Sequence, residues 1–246
     1  MGPGRHLFEE PGGSVSIMTG FQNDDSKYQS GDPPSPESVP DGVIISPDTH
    51  RDQRVPAGQS RTRKWPVLHY GHVPTIDLTK WQFKVQGLVD RPLSFTWEEF
   101  QALPRVKVFS DFHCVTRWSR LGNYWEGVSV REILNRAGVQ ANARYVIAEG
   151  YDSGWTTNLP LSDFDVEDAL FADTHDGEPI SADHGGPLRL VIPRLYAWKS
   201  AKWVRGIELT AEDRAGYWEQ GGYHMHGDPW VQSERNPDGE RFRDDM

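Results

Sequence analysis

Residues 106–138 read VKVFSDFHCVTRWSRLGNYWEGVSVREILNRAG, and the way this stretch changes character along its length decides the fold. VKVFSDFHCV has the β-branched and aromatic content of a strand, and it runs into a loop around Cys114. Further on, Ser129 and Glu132 sit three apart as a capping box opening the helix VREILNRA, and Gly138 is placed to end it. A strand, a cysteine loop and a short helix in this order are a segment of an α+β chain.

The surrounding sequence has the same grain. WQFKVQGLV (81–89) alternates Trp81, Phe83 and Val85 with polar neighbours, the period of a half-buried strand. TWEEFQALP (96–104) carries a capping box in Thr96 and Glu99 before a short helix stopped by Pro104. ARYVIAEG, GWTTNLPL, PLRLVIP and KWVRGIELT are further strands, with turn signals such as DSG and HDG between them. The expectation is an α+β fold of mixed β-sheets with short helices. The strand–helix alternation of a doubly wound sheet is missing, and there is no internal repeat.

Residues 1–60 are rich in Gly, Pro, Ser and Asp, and only Val43, Ile44 and Ile45 offer much to bury. They read as a polar N-terminal extension, disordered or laid over the folded body, and residues 61–246 read as one domain. The whole chain of 246 residues is 36% hydrophobic with ten tryptophans, which is enough for a real core. Its net charge of −10 argues against a nucleic-acid binder. No run of about 18 apolar residues exists to form a transmembrane segment. The first residues show no export signal, so the expected compartment is cytoplasmic.

The single cysteine excludes an internal disulfide, a Cys₄ zinc site and a Cys-x-x-Cys redox pair. G-x-G-x-x-G, G-x-x-x-x-G-K-[ST], H-E-x-x-H and G-x-S-x-G are all absent. Cys114 itself has three readings: core filling, the nucleophile of a hydrolase or transferase, or a metal thiolate. His113 is a poor base for it, because neighbours on a strand point to opposite faces. As a metal ligand, Cys114 requires a metal whose remaining ligands come from a cofactor.

The stretch DHGGPLRLVIPRLYAWKSAKWV (183–204) concentrates Arg189, Arg194, Lys199 and Lys202 in an acidic chain. Gly185 and Gly186 permit close backbone approach to a ligand. Lys199, Ser200 and Lys202 offer ammonium and hydroxyl donors suited to phosphate, although a solvated basic strand edge has the same composition.

FHCVTRWS with the following WEGV, then HGGPLRLVIP and YAWKSAKWV, resembles the molybdopterin-binding domain of the sulfite oxidase family, over roughly residues 62–225. The resemblance implies a sulfite oxidase-like fold around a mononuclear molybdenum that carries one pterin dithiolene, with no nucleotide on the pterin. Cys114 matches the metal ligand, and His184 with Arg189 matches the pterin-contacting pair. Lys199, Ser200 and Lys202 match residues that hold the pterin phosphate and ring. Thr116, Arg117 and Trp118 follow the ligand and line the site. Trp65, Pro66, His69 and Tyr70 fall in the family's N-terminal cofactor-contacting segment.

The implied activity is that of a molybdenum-cofactor oxidoreductase performing oxygen-atom transfer on a small-molecule substrate, an oxyanion or a sulfoxide, with Mo(VI) and Mo(IV) alternating. The chain departs from sulfite-oxidising members at Ser119, where they carry arginine, leaving Arg117 and Arg120 on either side as candidate anion binders. CVxxWS is closer to bacterial members similar to the periplasmic methionine-sulfoxide reductase catalytic subunit. Their twin-arginine signal is missing here. So are the family's haem and C-terminal dimerisation domains, which implies a separate electron-transfer partner: a cytochrome, a quinone-linked protein or a flavoprotein. Two alternatives stay open, a cysteine-dependent hydrolase or transferase and a non-catalytic cofactor-binding protein. His224, His226 and Asp228 in GGYHMHGDPW read as a hydrogen-bonded loop before a metal site. His113 and His175 read as structural histidines, DTHDGEP as a hairpin turn, and Tyr151 with Asp152 as residues without an assigned role.

Overall fold

A computed structural model of the chain describes residues 33–151 and 154–243, so Asp152 and the first 32 residues of the extension lie outside the described part. Among the described residues the strands form two mixed sheets. The larger contains β1 (Ile44–Ile45), β5 (Arg105–Cys114), β6 (Trp118–Ser129), β9 (Leu170–His175) and β10 (Glu178–Pro179) in that order. β2 (Ser60–Arg61) pairs with β6, and β11 (Arg189–Val191) pairs with β9. The smaller sheet runs β4 (Leu93–Thr96), β3 (Gln82–Gly87), β12 (Val204–Thr210), β7 (Tyr145–Gly150) and β8 (Thr156–Pro160). β1–β5, β2–β6 and β3–β12 are parallel, whereas β5–β6, β6–β9 and β7–β12 are antiparallel.

The alternation in WQFKVQGLV is realised in β3, where Phe83 and Val85 are buried and the residues between them exposed. Thr96 caps α1 (Trp97–Gln101) with the reciprocal Glu99 bonds of a capping box. α2 (Val130–Ala137) buries Val130, Ile133, Leu134 and Ala137, an i, i+3, i+4, i+7 stripe. Its cap departs from the expected box. The Ser129 hydroxyl accepts from the Arg131 N–H, while Glu132 pairs with Arg136 one turn on, an arrangement that satisfies both side chains without the reciprocal bond. DTHDGEP is the hairpin between β9 and β10, with positive φ at Asp176 and Gly177.

The main core lies between the sheets and under α1 and α2, joining Phe83, Phe100, Val128, Ile133, Phe171, Leu190 and Ile207. Each such side chain contributes about 1.5–3 kcal/mol on full burial. A second cluster (Trp65, Phe112, Trp125 and Val191 among others) and a third (Cys114, Val115, Tyr196, Trp198) place the only cysteine at the boundary of the packed interior. Part of the extension is laid on this body. β1 extends the larger sheet, Ser46 donates to buried Asp168, and Arg54 forms a fork on Asp111 at 2.6 and 2.8 Å.

Candidate active site

β5 and β6 form a hairpin in which Cys114 pairs with Trp118, so Val115, Thr116 and Arg117 are its loop. Arg117 takes φ +73°, the left-handed residue that closes a three-residue loop, and its N–H bonds the Cys114 carbonyl at 2.9 Å. Cys114 is 8% exposed, and its sulfur accepts from the Thr116 hydroxyl at 3.1 Å. Burial pushes the thiol pKa up, and hydrogen bonds from Thr116 oppose the shift. His113 faces the other way as expected of a strand neighbour. It bonds Ser119 at 2.8 Å on that face, and burial lowers its pKa to about 4, so it is both a weak base and turned away from Cys114.

A cavity of about 310 Å³ opens over the sulfur, within the size range of small-ligand and cofactor sites. Of the residues singled out in the sequence, Trp65, His69, Tyr70, Cys114, Thr116, His184, Arg189, Ser200 and Lys202 all line it. Trp65 stacks on His184 with ring centroids 4.0 Å apart. Nε2 of His184 lies 2.9 Å from the Trp65 carbonyl and Nδ1 lies 3.0 Å from the Ser181 hydroxyl. Burial lowers its pKa to about 4, so Nε2 carries the proton and Nδ1 accepts. Lys202 donates to the Asp183 carbonyl at 2.6 Å and lies over the Trp203 ring.

Arg189 is 2% exposed and donates to the carbonyls of His184 and Ser200 at 2.7 and 3.1 Å. Its guanidinium lies over the rings of Trp65 and Phe112, each 5.3 Å away. Among the described residues no carboxylate pairs with it, its Nε has no hydrogen-bond partner, and burial lowers its pKa to about 9. Among the described residues the indole N–H of Trp118 in the same wall is also buried without a partner.

Three expected site residues do not reach the cavity. Arg117 is drawn outward by an ion pair with Asp238 at 2.8 Å, with more than half its side chain in solvent. Arg120 shares a face of β6 with Trp118 but lies behind the cavity wall, where it pairs with Asp176 and bonds Asn123 and, at 3.2 Å, His175. Lys199 is fully buried beneath the wall. It pairs with Glu219 at 2.7 Å and donates to Asn158 of β8 and to the Met225 carbonyl, so its protons are committed to groups of the chain itself. Gly185 and Gly186 also differ from expectation: a Cβ there meets Lys202 at 2.8 Å and the Ile180 carbonyl at 2.0 Å, so the close approach is within the chain.

The walls that sequence reasoning passed over are aromatic: Trp155, Trp198, Trp203, Trp218 and Tyr223. Ten tryptophans in the composition were the signal, but nothing in their spacing gathers them. Tyr151 is structural, its hydroxyl bonding both backbone groups of Gln82. His175 is buried between Trp65 and Trp125, and burial holds its pKa well below the usual value.

His226 ties the C-terminal segment down, bonding Asp163 at 3.1 Å and Glu240 at 2.8 Å. These bonds raise its pKa to about 10. The folded value exceeds the ordinary 6.5 of an unfolded histidine, so this stabilisation is complete below about pH 6.5 and disappears as the pH rises through about 10. The melting-temperature deficit of His226→Gln is therefore expected to be largest at pH 6 and to vanish near pH 10. A deficit constant across that range contradicts the assignment.

Comparison with known proteins gives a consistent picture. The family model described as the oxidoreductase molybdopterin binding domain matches residues 70–218. An uncharacterised oxidoreductase of Bacillus subtilis, YuiH, is 53% identical over 178 residues, covering 72% of this chain and 89% of that protein. A putative protein-methionine-sulfoxide reductase subunit of Azospira oryzae, YedZ1, is 30% identical over 68% of this chain and 64% of its own length. The NAD(P)H nitrate reductase of Hordeum vulgare is 29% identical over 62% of this chain, which spans only 20% of that enzyme. Among solved structures, the sulfane dehydrogenase SoxCD of Paracoccus pantotrophus superposes with a TM-score of 0.54 at 23% identity, over 59% of this chain and 42% of that one. That likeness is one of fold.

Proposed function

The chain belongs to the oxidoreductase molybdopterin-binding domain family, and from that premise we propose that its cavity performs oxygen-atom transfer on a small sulfoxide-type substrate at a molybdenum held by Cys114. The observation that carries the reading is Arg189, a buried cation with no carboxylate paired to it among the described residues, in the wall of the cavity that also bears the Cys114 sulfur. A buried charge left unpaired is costly, and an anionic cofactor removes that cost. The donor set fits as well. Among the described residues no group of three or more His, Cys, Asp or Glu side chains forms a metal site, so the protein offers one thiolate to a metal that brings its other ligands.

When bound, molybdopterin supplies a two-electron molybdenum centre able to exchange an oxygen atom with substrate. The chain's own residues bind and orient around it. Cys114 would be the thiolate ligand, kept in place by the Thr116 hydroxyl. Arg189 would neutralise cofactor charge, with Lys202, Ser200 and the Trp118 N–H as further donors in the walls. His184, neutral and held at both ring nitrogens, presents a fixed face against Trp65 and does not move a proton. Trp198, Trp203 and Tyr223 restrict water over the sulfur.

The preference for a neutral substrate over an oxyanion rests on those walls. Arg117 and Arg120, the candidate anion binders, are engaged elsewhere, and the remaining lining is largely aromatic. The name of the YedZ1 relative points to the same substrate class. Closing the cycle requires two electrons per turnover, which we assign to a separate carrier protein. No helix among the described residues is long and apolar enough to cross a membrane.

The test is a substrate panel on metal-replete protein with artificial electron donors and acceptors. Small dialkyl sulfoxides are expected to reoxidise the reduced protein, and sulfite and nitrate to react at least about tenfold more slowly. Rapid reduction by sulfite with no sulfoxide turnover would reverse the substrate assignment. Cys114→Ser is expected to retain the fold and lose the metal. Stoichiometric alkylation of Cys114 in a native, metal-free, active protein would establish the nucleophile alternative instead.

A further inference from the structure

The family model ends at residue 218, yet the chain beyond it returns to the Cys114 loop. Arg241 donates from Nη2 to the Val115 carbonyl at 2.7 Å. That carbonyl belongs to the peptide that carries Thr116 into the loop, and the Thr116 hydroxyl donates to the Cys114 sulfur at 3.1 Å. A donor that fixes the peptide fixes where that hydroxyl sits. The guanidinium of Arg241 is thus linked to the sulfur through the Val115–Thr116 peptide and the Thr116 side chain.

The arginine is held at its guanidinium and at its backbone. Asp238 faces its Nη1 at 3.6 Å and binds Arg117 of the hairpin loop at 2.8 Å. The Arg241 N–H bonds the Asn236 side chain at 3.2 Å, and its carbonyl accepts from the His224 N–H at 3.2 Å. Tyr196, in the same cluster as Cys114, fixes the segment by donating to the Asp238 carbonyl at 2.6 Å. Across the loop, Gln59 donates to the Cys114 carbonyl at 3.1 Å, so both ends of the Cys114–Val115 stretch are pinned by side chains from outside the matched domain. Among the described residues Nε of Arg241 is buried without a partner, a cost accepted where the fork geometry is fixed by other demands.

We propose that Arg241 is a positioning residue for the metal thiolate: by holding the Val115–Thr116 peptide it sets the geometry, and so the strength, of the Thr116 hydroxyl's hydrogen bond to the Cys114 sulfur. Hydrogen bonds to a ligating sulfur draw electron density from it and tune the metal it binds. Arg241 touches neither metal nor substrate. The proposal rests on Cys114 being the molybdenum ligand.

The experiment compares metal-replete wild type with Arg241→Met and Arg241→Lys by absorption and by Mo(V) paramagnetic resonance. Arg241→Met is expected to move the thiolate-to-molybdenum charge-transfer band to longer wavelength and to change the g-values, at unchanged molybdenum content. Arg241→Lys, which keeps a donor, is expected to recover most of the shift. Spectra identical to wild type in Arg241→Met overturn the proposal, whether or not the melting temperature falls, because a merely structural clamp alters stability alone. If Arg241→Met fails to fold or to load, Asp238→Asn takes its place: it leaves the arginine but loosens it, so a smaller shift in the same direction is expected and unchanged spectra overturn. Failure of the underlying assignment looks different. It gives no thiolate band in wild type and full molybdenum in Cys114→Ser.

Discussion

Arg189→Met is expected to lower molybdenum and pterin content about 10- to 100-fold while the chain still folds. The guanidinium is buried, and no carboxylate among the described residues shares its charge. Its pKa, lowered by burial to about 9, leaves it a cation at neutral pH, and the carbonyls of His184 and Ser200 and the rings beside it offset only part of the desolvation cost of that charge. An anionic cofactor recovers the cost and gains charge-assisted hydrogen bonds, each worth about 1.5–3 kcal/mol, which corresponds to roughly one to two powers of ten in affinity. Methionine keeps much of the volume against Trp65 and Phe112 and removes the charge. Arg189→Lys keeps the charge without the planar fork and is expected to load at an intermediate level. Metal and pterin are measured per folded chain, with the melting temperature of the cofactor-free protein as control. Full loading of Arg189→Met defeats the assigned role.

The second large effect concerns Lys199 and is of the opposite kind. Lys199→Met leaves the carboxylate of Glu219 buried without its cation, and both side chains are fully buried in the native protein. Breaking such a pair costs about 3–5 kcal/mol. In a domain of this size that corresponds to a fall in melting temperature of about 10 °C. Glu219 also accepts from Thr157 and the Trp198 indole, and Lys199 donates to Asn158, so the damage reaches β8 and the cavity wall. The fall is expected equally in cofactor-free protein. Replacing both partners with apolar residues is expected to recover part of it, the coupling being read from a double-mutant cycle. A Lys199→Met protein with unchanged cofactor-free stability and lost cofactor would restore the phosphate-binding role expected from sequence.

These two residues show what sequence reading can and cannot separate. Arg189 and Lys199 lie ten positions apart in one basic stretch and look alike as candidates for an anionic ligand. Their surroundings divide them. β11 directs Arg189 into the cavity wall with no carboxylate paired to it among the described residues, whereas Lys199 meets a glutamate from α4 (Tyr217–Gln220), twenty residues on. Arg117 and Arg120 make the same point: Asp238 and Asp176, remote in sequence, decide where each guanidinium goes.

What the sequence determined by itself is what depends on neighbours along the chain. The strand period of β3, the capping box of α1 and the hairpin at Asp176–Gly177 are local events, legible because a few residues suffice to specify them. The α+β class, the lone thiol, and Cys114, His184 and Arg189 as a constellation were also readable, the last through ordered motifs. Tertiary structure alone decided which cations face the cavity, which tryptophans wall it, and that Arg241 returns to the Cys114 loop. The physical reason is that burial, the pairing of charges and access to a shared space are set by residues brought together from 20 to 126 positions apart. No local pattern records those distances.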